Sequence, residues 1–204
     1  HPLYGKVRFQ GLVAEHTGTD ITVEILRKGK VKRFKSKKTP HNSNQALIPH
    51  SRISKVEPHL IVGGLVFQEL TYEYLKTWGK NWINKAPSYL GAIWKLNNHK
   101  NKKLRRIILL SQVLPDSINN GYQKVHNAMI ESINDQPIDS LDDLKYALSK
   151  PLLRNNKKYL RVNLRYGDGS FILPYSDLNK SHQRIAQKYK IANQDSFYNP
   201  KRVN

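Results

Sequence analysis

The sequence predicts an α+β fold built mainly from antiparallel strands, and three features carry that expectation. Short alternating or continuous apolar runs recur at 20–27, 31–34, 106–113, 129–138, 159–165 and 170–175, separated by turn-forming pairs such as Lys28-Gly29 and Asn134-Asp135. An amphipathic helix, with Ser140 or Asp139 able to cap it, stands before the last strands. An apolar segment, His59 to Phe67, is broken at its centre by Gly63-Gly64.

That glycine pair needs a reason. Glycine packs nothing in a buried strand and adds backbone entropy to the cost of folding. A strand start that presents bare N–H groups to a ligand does want it, as where a nest of main-chain donors captures a peptide carboxylate beside an open sheet edge. A buried strand with a bulge gives the same pattern.

The chain of 204 residues has room for one large domain or two small ones. Its formal charge of +20 attracts nucleic acid, anionic lipid or acidic protein. The cations cluster at Arg27–Lys38, Lys100–Arg106 and Arg154–Arg161, where solvated faces and loop edges give the same look. No cysteine is present, which excludes disulfides, thiol nucleophiles and thiolate metal sites. No apolar run is long enough for a transmembrane helix. His1 is not an initiator and the one methionine is Met129, so the expectation is a piece of a longer polypeptide whose preceding part could carry the chemistry.

Taken in order, Phe9, Leu12, Val13 and His16 fall at helical spacing over residues 5–16, with Gly18 as a stop. The runs Asp20–Arg27 and Val31–Phe34 read as a hairpin about Lys28-Gly29. Residues 39–57 read as a linker, in which Ala46-Leu47-Ile48 could pin the chain to a neighbouring domain. Helical material follows: Tyr72, Tyr74, Leu75 and Trp78 up to Gly79, then Tyr89, Leu90, Ile93, Trp94 and Leu96 after Pro87. Trp78, Trp82 and Trp94 all fall here, as a helical cap on the domain or as a subunit contact. Arg106–Val113 is a strand ended by Leu114-Pro115-Asp116. Strand, Asn134-Asp135 turn and short strand occupy 129–138, and Leu141, Leu144 and Leu148 share one face of the following helix. The last hairpin turns about Gly167-Asp168-Gly169, and the basic tail 177–204 reads as a docked helix (Ile185, Tyr189) followed by disorder.

Catalytic and metal chemistry do not emerge from the pattern. Gly167-Asp168-Gly169-Ser170 looks like a nucleophile loop but lies between two alternating strands, and no triad accompanies it. The eight histidines show no i, i+4 pairing, and no phosphate-binding glycine loop occurs. No catalytic residue, metal or cofactor is expected.

The segment His59-Leu60-Ile61-Val62-Gly63-Gly64-Leu65-Val66-Phe67-Gln68-Glu69-Leu70-Thr71-Tyr72-Glu73-Tyr74-Leu75 resembles the opening of the second PDZ domain in Deg/HtrA-type serine proteases, above all the plant branch. Ile130–Ile138 resembles the PDZ phrase around an Asn-Gly turn, and Gly18–Lys30 the closing half of an HtrA-type PDZ domain. The resemblance implies a PDZ-like antiparallel β-sandwich or partial barrel capped by helices, one complete copy plus the C-terminal half of another. Residues 1–38 would end PDZ1, and 58–176 would form PDZ2 with a helical insertion at about 70–104. It implies a non-catalytic regulatory, oligomerising and peptide-binding region of an endopeptidase of protein quality control, bound to protein C-termini or unfolded segments. It also implies a homo-oligomer, in a bacterial envelope or, if plant-like, an organelle or nucleus. The implied peptide groove is Ile61, Val62, Gly63, Gly64, Leu65, Val66 and Phe67, walled by Leu141, Leu144, Lys145 and Leu148. The second PDZ domain's role stays open between assembly and capture. A basic nucleic-acid module, supported by charge alone, and a stand-alone PDZ scaffold are the alternatives; nucleic acid is not the expected partner.

Overall fold

The computed structural model describes residues 18–37, 46–50, 58–97, 105–166, 169–192 and 197–199, with isolated positions before residue 14. The helix expected over 5–16 falls almost wholly outside them. The chain divides into two units, His1–Asn42 and Ser43–Asn204.

In the first unit, β1 (Asp20–Arg27) and β2 (Lys30–Lys37) form the expected hairpin, in register from Asp20↔Lys37 to Arg27↔Lys30. Lys28 and Gly29 both have positive φ, the geometry whose twist matches paired strands. β1 alternates at Ile21 and Val23, whereas all of β2 is exposed, Val31 and Phe34 included, as is Leu26.

The second unit contains an eight-stranded antiparallel sheet. Its strands are β3 (His59–Val62), β4 (Leu65–Glu69), β5 (Ile108–Val113), β6 (Ala128–Ile133), β7 (Gln136–Pro137), β8 (Leu152–Arg154), β9 (Lys157–Leu164) and β10 (Ser170–Pro174). The order is β10-β9-β6-β5-β4-β3, with β7 on β6 and β8 on β9. Helices α1 (Tyr72–Lys76), α2 (Trp82–Lys85) and α3 (Ser88–Asn97) lie between β4 and β5, α4 (Leu141–Leu148) follows β7, and α5 (Leu178–Lys188) follows β10. The architecture is the predicted one: an antiparallel half-barrel or sandwich capped by helices.

Strand periodicity explains the continuous apolar runs. On β5, Ile108 and Leu110 join the main core with Leu60, Val62, Leu65, Phe67, Leu144 and Leu148. Ile107 and Leu109 instead join a second cluster with Leu75, Trp82 and Leu90 of the helices between β4 and β5. On β3 and β4 the remaining positions, Ile61 and Val66, meet Ile185 and Ala186 of α5 in a third cluster. Strands covered on both faces have no polar positions to alternate with. The sheet is irregular at one point: the β4–β5 register shifts between Val66 and Phe67, leaving Ser111 as the extra residue, and its Oγ donates to the Val66 carbonyl at 3.1 Å.

The tryptophans cap the domain from within. Trp82 is buried, Trp94 stacks on Tyr72 at 4.9 Å, and Leu47 and Ile48 of the segment read as linker pack into the same cluster. Ser140 caps α4 by accepting the Asp143 N–H at 3.0 Å, and Thr71 caps α1.

Candidate peptide-binding site

Gly63 and Gly64 make the two-residue turn that folds β3 back onto β4, with φ of 55° and 83°. A side chain at Gly64 would fall 2.4 Å from the Leu114 carbonyl oxygen, so glycine is required by space as well as by φ. The turn is clamped on three sides. Asn119, fully buried, donates from Nδ2 to the carbonyls of Gly63 and Leu114, each at 2.8 Å, and its Oδ1 accepts the Asp116 N–H. The Leu114 N–H donates to the Gly64 carbonyl at 2.7 Å. The Gly63 N–H donates to Nε2 of His182 on α5 at 3.2 Å.

The His182 bond fixes a protonation state. An imidazole nitrogen that accepts must carry no proton, so His182 is neutral with its proton on Nδ1. Burial drives its pKa down to about 4, because an imidazolium there would lose its water. Its ring lies 5.1 Å from that of Phe197.

Helix α4 is held by the turn between β6 and β7. Asn134, buried and with φ of 49°, donates from Nδ2 to the carbonyls of Ala147 and Lys150 and accepts the Arg161 N–H. One amide thus ties the last turn of α4 to β9. At the other end Arg105 bonds Asp139 and Asp143 beside the helix N-terminus.

Of the residues expected to form a groove, Ile61 to Phe67 are buried in the β3–β4 hairpin. Leu144 and Leu148 are fully buried in the same cluster as Leu60, Val62, Leu65 and Phe67, Leu141 is half-buried against it, and Lys145 is exposed beside Asp142. The glycine segment and the leucine face therefore share one core. Two details of the expectation change. The Gly63 N–H already has an acceptor, so it is not a bare donor. And Leu65–Phe67 is no edge: β4 is paired with β3 on one side and β5 on the other, and among the described residues the strand order ends at β3.

What meets β3 there is the chain's own C-terminal segment. Phe197 bridges Ile61 in parallel sense, and the Tyr198 N–H donates to the Ile61 carbonyl at 3.0 Å. Tyr198 Oη lies 3.3 Å from Tyr175 Oη, which donates to the Leu148 carbonyl at 3.0 Å. Both aromatic side chains are buried, where disorder was expected. On the outer sheet face beside them, His59, Ile61, Val66, Gln68, Ser111, Leu114 and Tyr189 line an open cleft of about 520 Å³.

Sequence reasoning missed Asn119, His182 and the pair Phe197-Tyr198. Asp116 with Asn119 three residues on was a legible cap signal, and two adjacent aromatics in a polar tail were a legible sign of packing. Nothing in the pattern marks His182 as an acceptor for a glycine far away in the chain.

An antiparallel half-barrel capped by helices, with an amphipathic helix sharing its core, is the architecture of a PDZ-type protein- and peptide-binding module, and the family comparison assigns it. The chain belongs to the PDZ domain family, whose model matches residues 48–197. It is similar to the mitochondrial Arabidopsis thaliana proteins Do-like 12 (24% identity over 84% of this chain and 29% of that protein) and Do-like 3 (26%, over 91% and 30%), both carrying a protease name. It is also 29% identical to the serine protease DegP homolog of Plasmodium falciparum over 78% of this chain and 18% of that protein. The domain is thus homologous to members of the Deg/HtrA-type serine protease family. The chain spans less than a third of the length of these relatives.

Proposed function

We propose that this chain is the non-catalytic C-terminal region of a Deg/HtrA-type serine endopeptidase: residues 1–38 close a first PDZ domain and residues 58–176 form the second, which captures extended protein segments or holds protomers together. The groove proposed is the Ile61–Phe67 hairpin with Leu141, Leu144, Lys145 and Leu148 of α4. Main-chain pairing at β3 supplies affinity, and the apolar wall favours an apolar residue at the ligand's end.

One observation carries this reading. A single residue, Tyr198, reaches the Ile61 carbonyl with its main chain and, through Tyr175, the Leu148 carbonyl at the end of α4. One extended segment can therefore pair with β3 through its main chain while its side chain enters the core that α4 shares.

Fluorescence polarisation with labelled decapeptides ending in Val, Leu or Phe tests it. Saturable binding is expected, weakened by Lys145→Glu or Leu141→Ala, neither of which is a fully buried position. Binding that ignores both substitutions, or none by a chain whose C-terminal segment has been released, refutes capture. Sedimentation of the same protein tests assembly: a monomer at micromolar concentration argues against protomer contacts through this region.

A further inference from the structure

The third basic cluster of the sequence, Arg154 to Arg161, lies outside the β3–α4 groove. By register, Arg154 stands opposite Lys157 and Leu152 opposite Tyr159, while Arg161 pairs with Ile172 of β10. Successive strand residues point to opposite faces. Leu160, Val162, Phe171 and Leu173 take the core side, so Leu152, Arg154, Lys157, Tyr159, Arg161 and Ile172 share the outer one. Elsewhere the outer side of the sheet is covered, by α5 over Ile61 and Val66 and by the helices between β4 and β5 over Ile107 and Leu109. Here a cleft of about 550 Å³ stays open, lined by Leu152, Leu153, Arg154, Arg161 and Ile172 among others. Leu153 is 68% exposed and Ile172 52%.

We propose that this cleft is a second docking site, whose occupant is an acidic protein segment with aliphatic side chains set among its carboxylates. It shares no residue with the β3–α4 groove and stands whether or not that groove captures peptides.

Charge selects the class of occupant. Arg154 and Lys157 are like charges directly opposite each other on paired strands, an arrangement that costs stability until an anion sits between them. Neither they nor Lys158 has a carboxylate partner among the described residues. Asp135 also lines the cleft, but it is taken by Arg161. A second copy of this chain fits poorly, because its 35 Lys and Arg against 15 Asp and Glu would set cations against cations.

The aliphatic side chains then favour protein over other polyanions. Single-stranded nucleic acid needs aromatic faces on which bases stack, and the cleft offers one such ring among the described residues, the half-buried Tyr159. A bilayer surface is flat, whereas this floor is concave. Exposed aliphatic surface rimmed by charge is what a protein partner covers.

The test uses the full chain and a fluorescein-labelled peptide of alternating Glu-Leu and Asp-Ile pairs. The peptide is acetylated and amidated, so that it offers the β3–α4 groove no terminal carboxylate. Saturable binding by fluorescence polarisation at low salt is expected, weakened roughly fivefold by Arg154→Glu or Lys157→Glu and roughly threefold by Ile172→Thr. Lys32→Glu removes the same charge from the other unit of the chain and should change affinity by less than about twofold. An equal loss with Lys32→Glu would reduce the binding to net charge and overturn the proposal. So would equal binding of a peptide with serine at every Leu and Ile. Tighter binding of an oligothymidylate, itself weakened by Arg154→Glu, would make the cleft a nucleic-acid surface and overturn it as well. Amide NMR of the wild-type chain gives a readout that needs no variant to fold. The peptide should shift the amides of β8, β9 and Ile172, and shifts confined to β3 and α4 would place it in the groove and refute a second site.

Discussion

Acid should loosen this domain through one side chain. His182 is 8% exposed, and its Nε2 must stay unprotonated to accept the Gly63 N–H. In the unfolded chain its pKa returns to the ordinary value of 6.5, against about 4 when folded, because burial penalises the charged form. Between those values the unfolded state binds more protons than the folded one, so stability rises with pH. The contribution is complete above the unfolded value and is lost as pH falls toward the folded one. The two values put the loss at about 2 kcal/mol by roughly pH 5 and about 3 kcal/mol by roughly pH 4. With a urea slope of about 2 kcal/mol/M, the midpoint should drop by about 1 M between pH 7 and pH 5.

The comparison that isolates His182 is His182→Gln, whose amide oxygen can accept from Gly63 without titrating. Urea unfolding of both proteins from pH 7.5 to 4, followed by far-UV circular dichroism, gives a difference curve in which carboxylates common to both cancel. Wild type should lose about 2 kcal/mol more than the variant between roughly pH 7 and pH 5. Parallel curves would refute the reasoning, and so would a His182 titration near 6.5 in the folded protein by NMR.

Three further outcomes follow from the same geometry. Gly64→Ala places a methyl on the Leu114 carbonyl in a left-handed turn and should cost about 3 kcal/mol or more, while at Gly63 the nearest atoms are the ends of Leu173 and Leu178, which can shift, so Gly63→Ala should cost less; equal urea midpoints for the two would contradict this. Asn119→Ala leaves the Gly63 and Leu114 carbonyls without their side-chain donor and should lower stability by about 2–4 kcal/mol, read as a fall in the urea midpoint; a change below about 0.5 kcal/mol would remove the clamp from the account. Asn134→Ala should cost a similar amount and also speed amide exchange in the last turn of α4, because it removes the donor that the Ala147 and Lys150 carbonyls share; unchanged exchange there would show that this amide does not hold the end of α4.

Local chemistry made much of the fold legible. Two of the hairpin turns with positive φ, Lys28-Gly29 and Asn134-Asp135, announce themselves by residue type, and Ser140 announces the start of α4. The same signal was available at Asn155-Asn156, which turns β8 into β9 with φ of 49° and 58°, but β8 is three residues long and shows no periodicity to attach it to. Short α2 escaped for the same reason. The glycine pair illustrates a different limit. Need for positive φ was readable, but two needs compete for it, donors held bare for a ligand and a tight turn between paired strands. Only the partners of Gly63, supplied by Asn119 and His182, tell them apart, and both lie far off in sequence.

The same distinction governs the site. Where a binding edge depends on main chain, the residues that set its availability need not be those that line it. Here the Ile61 carbonyl accepts the Tyr198 N–H, and neither Tyr198 nor its neighbour Phe197 belongs to any motif legible in the sequence. Their burial is on opposite faces of β3, one against α5 and one in the core shared with α4. A substitution in α5 that thins the Phe197 contact, such as Ile185→Ala, would therefore loosen residues 197–198 and the outer face of β3 while leaving α4 as it is. A peptide that binds better after such a change would be competing for the edge itself, and one that binds equally well would be using another surface.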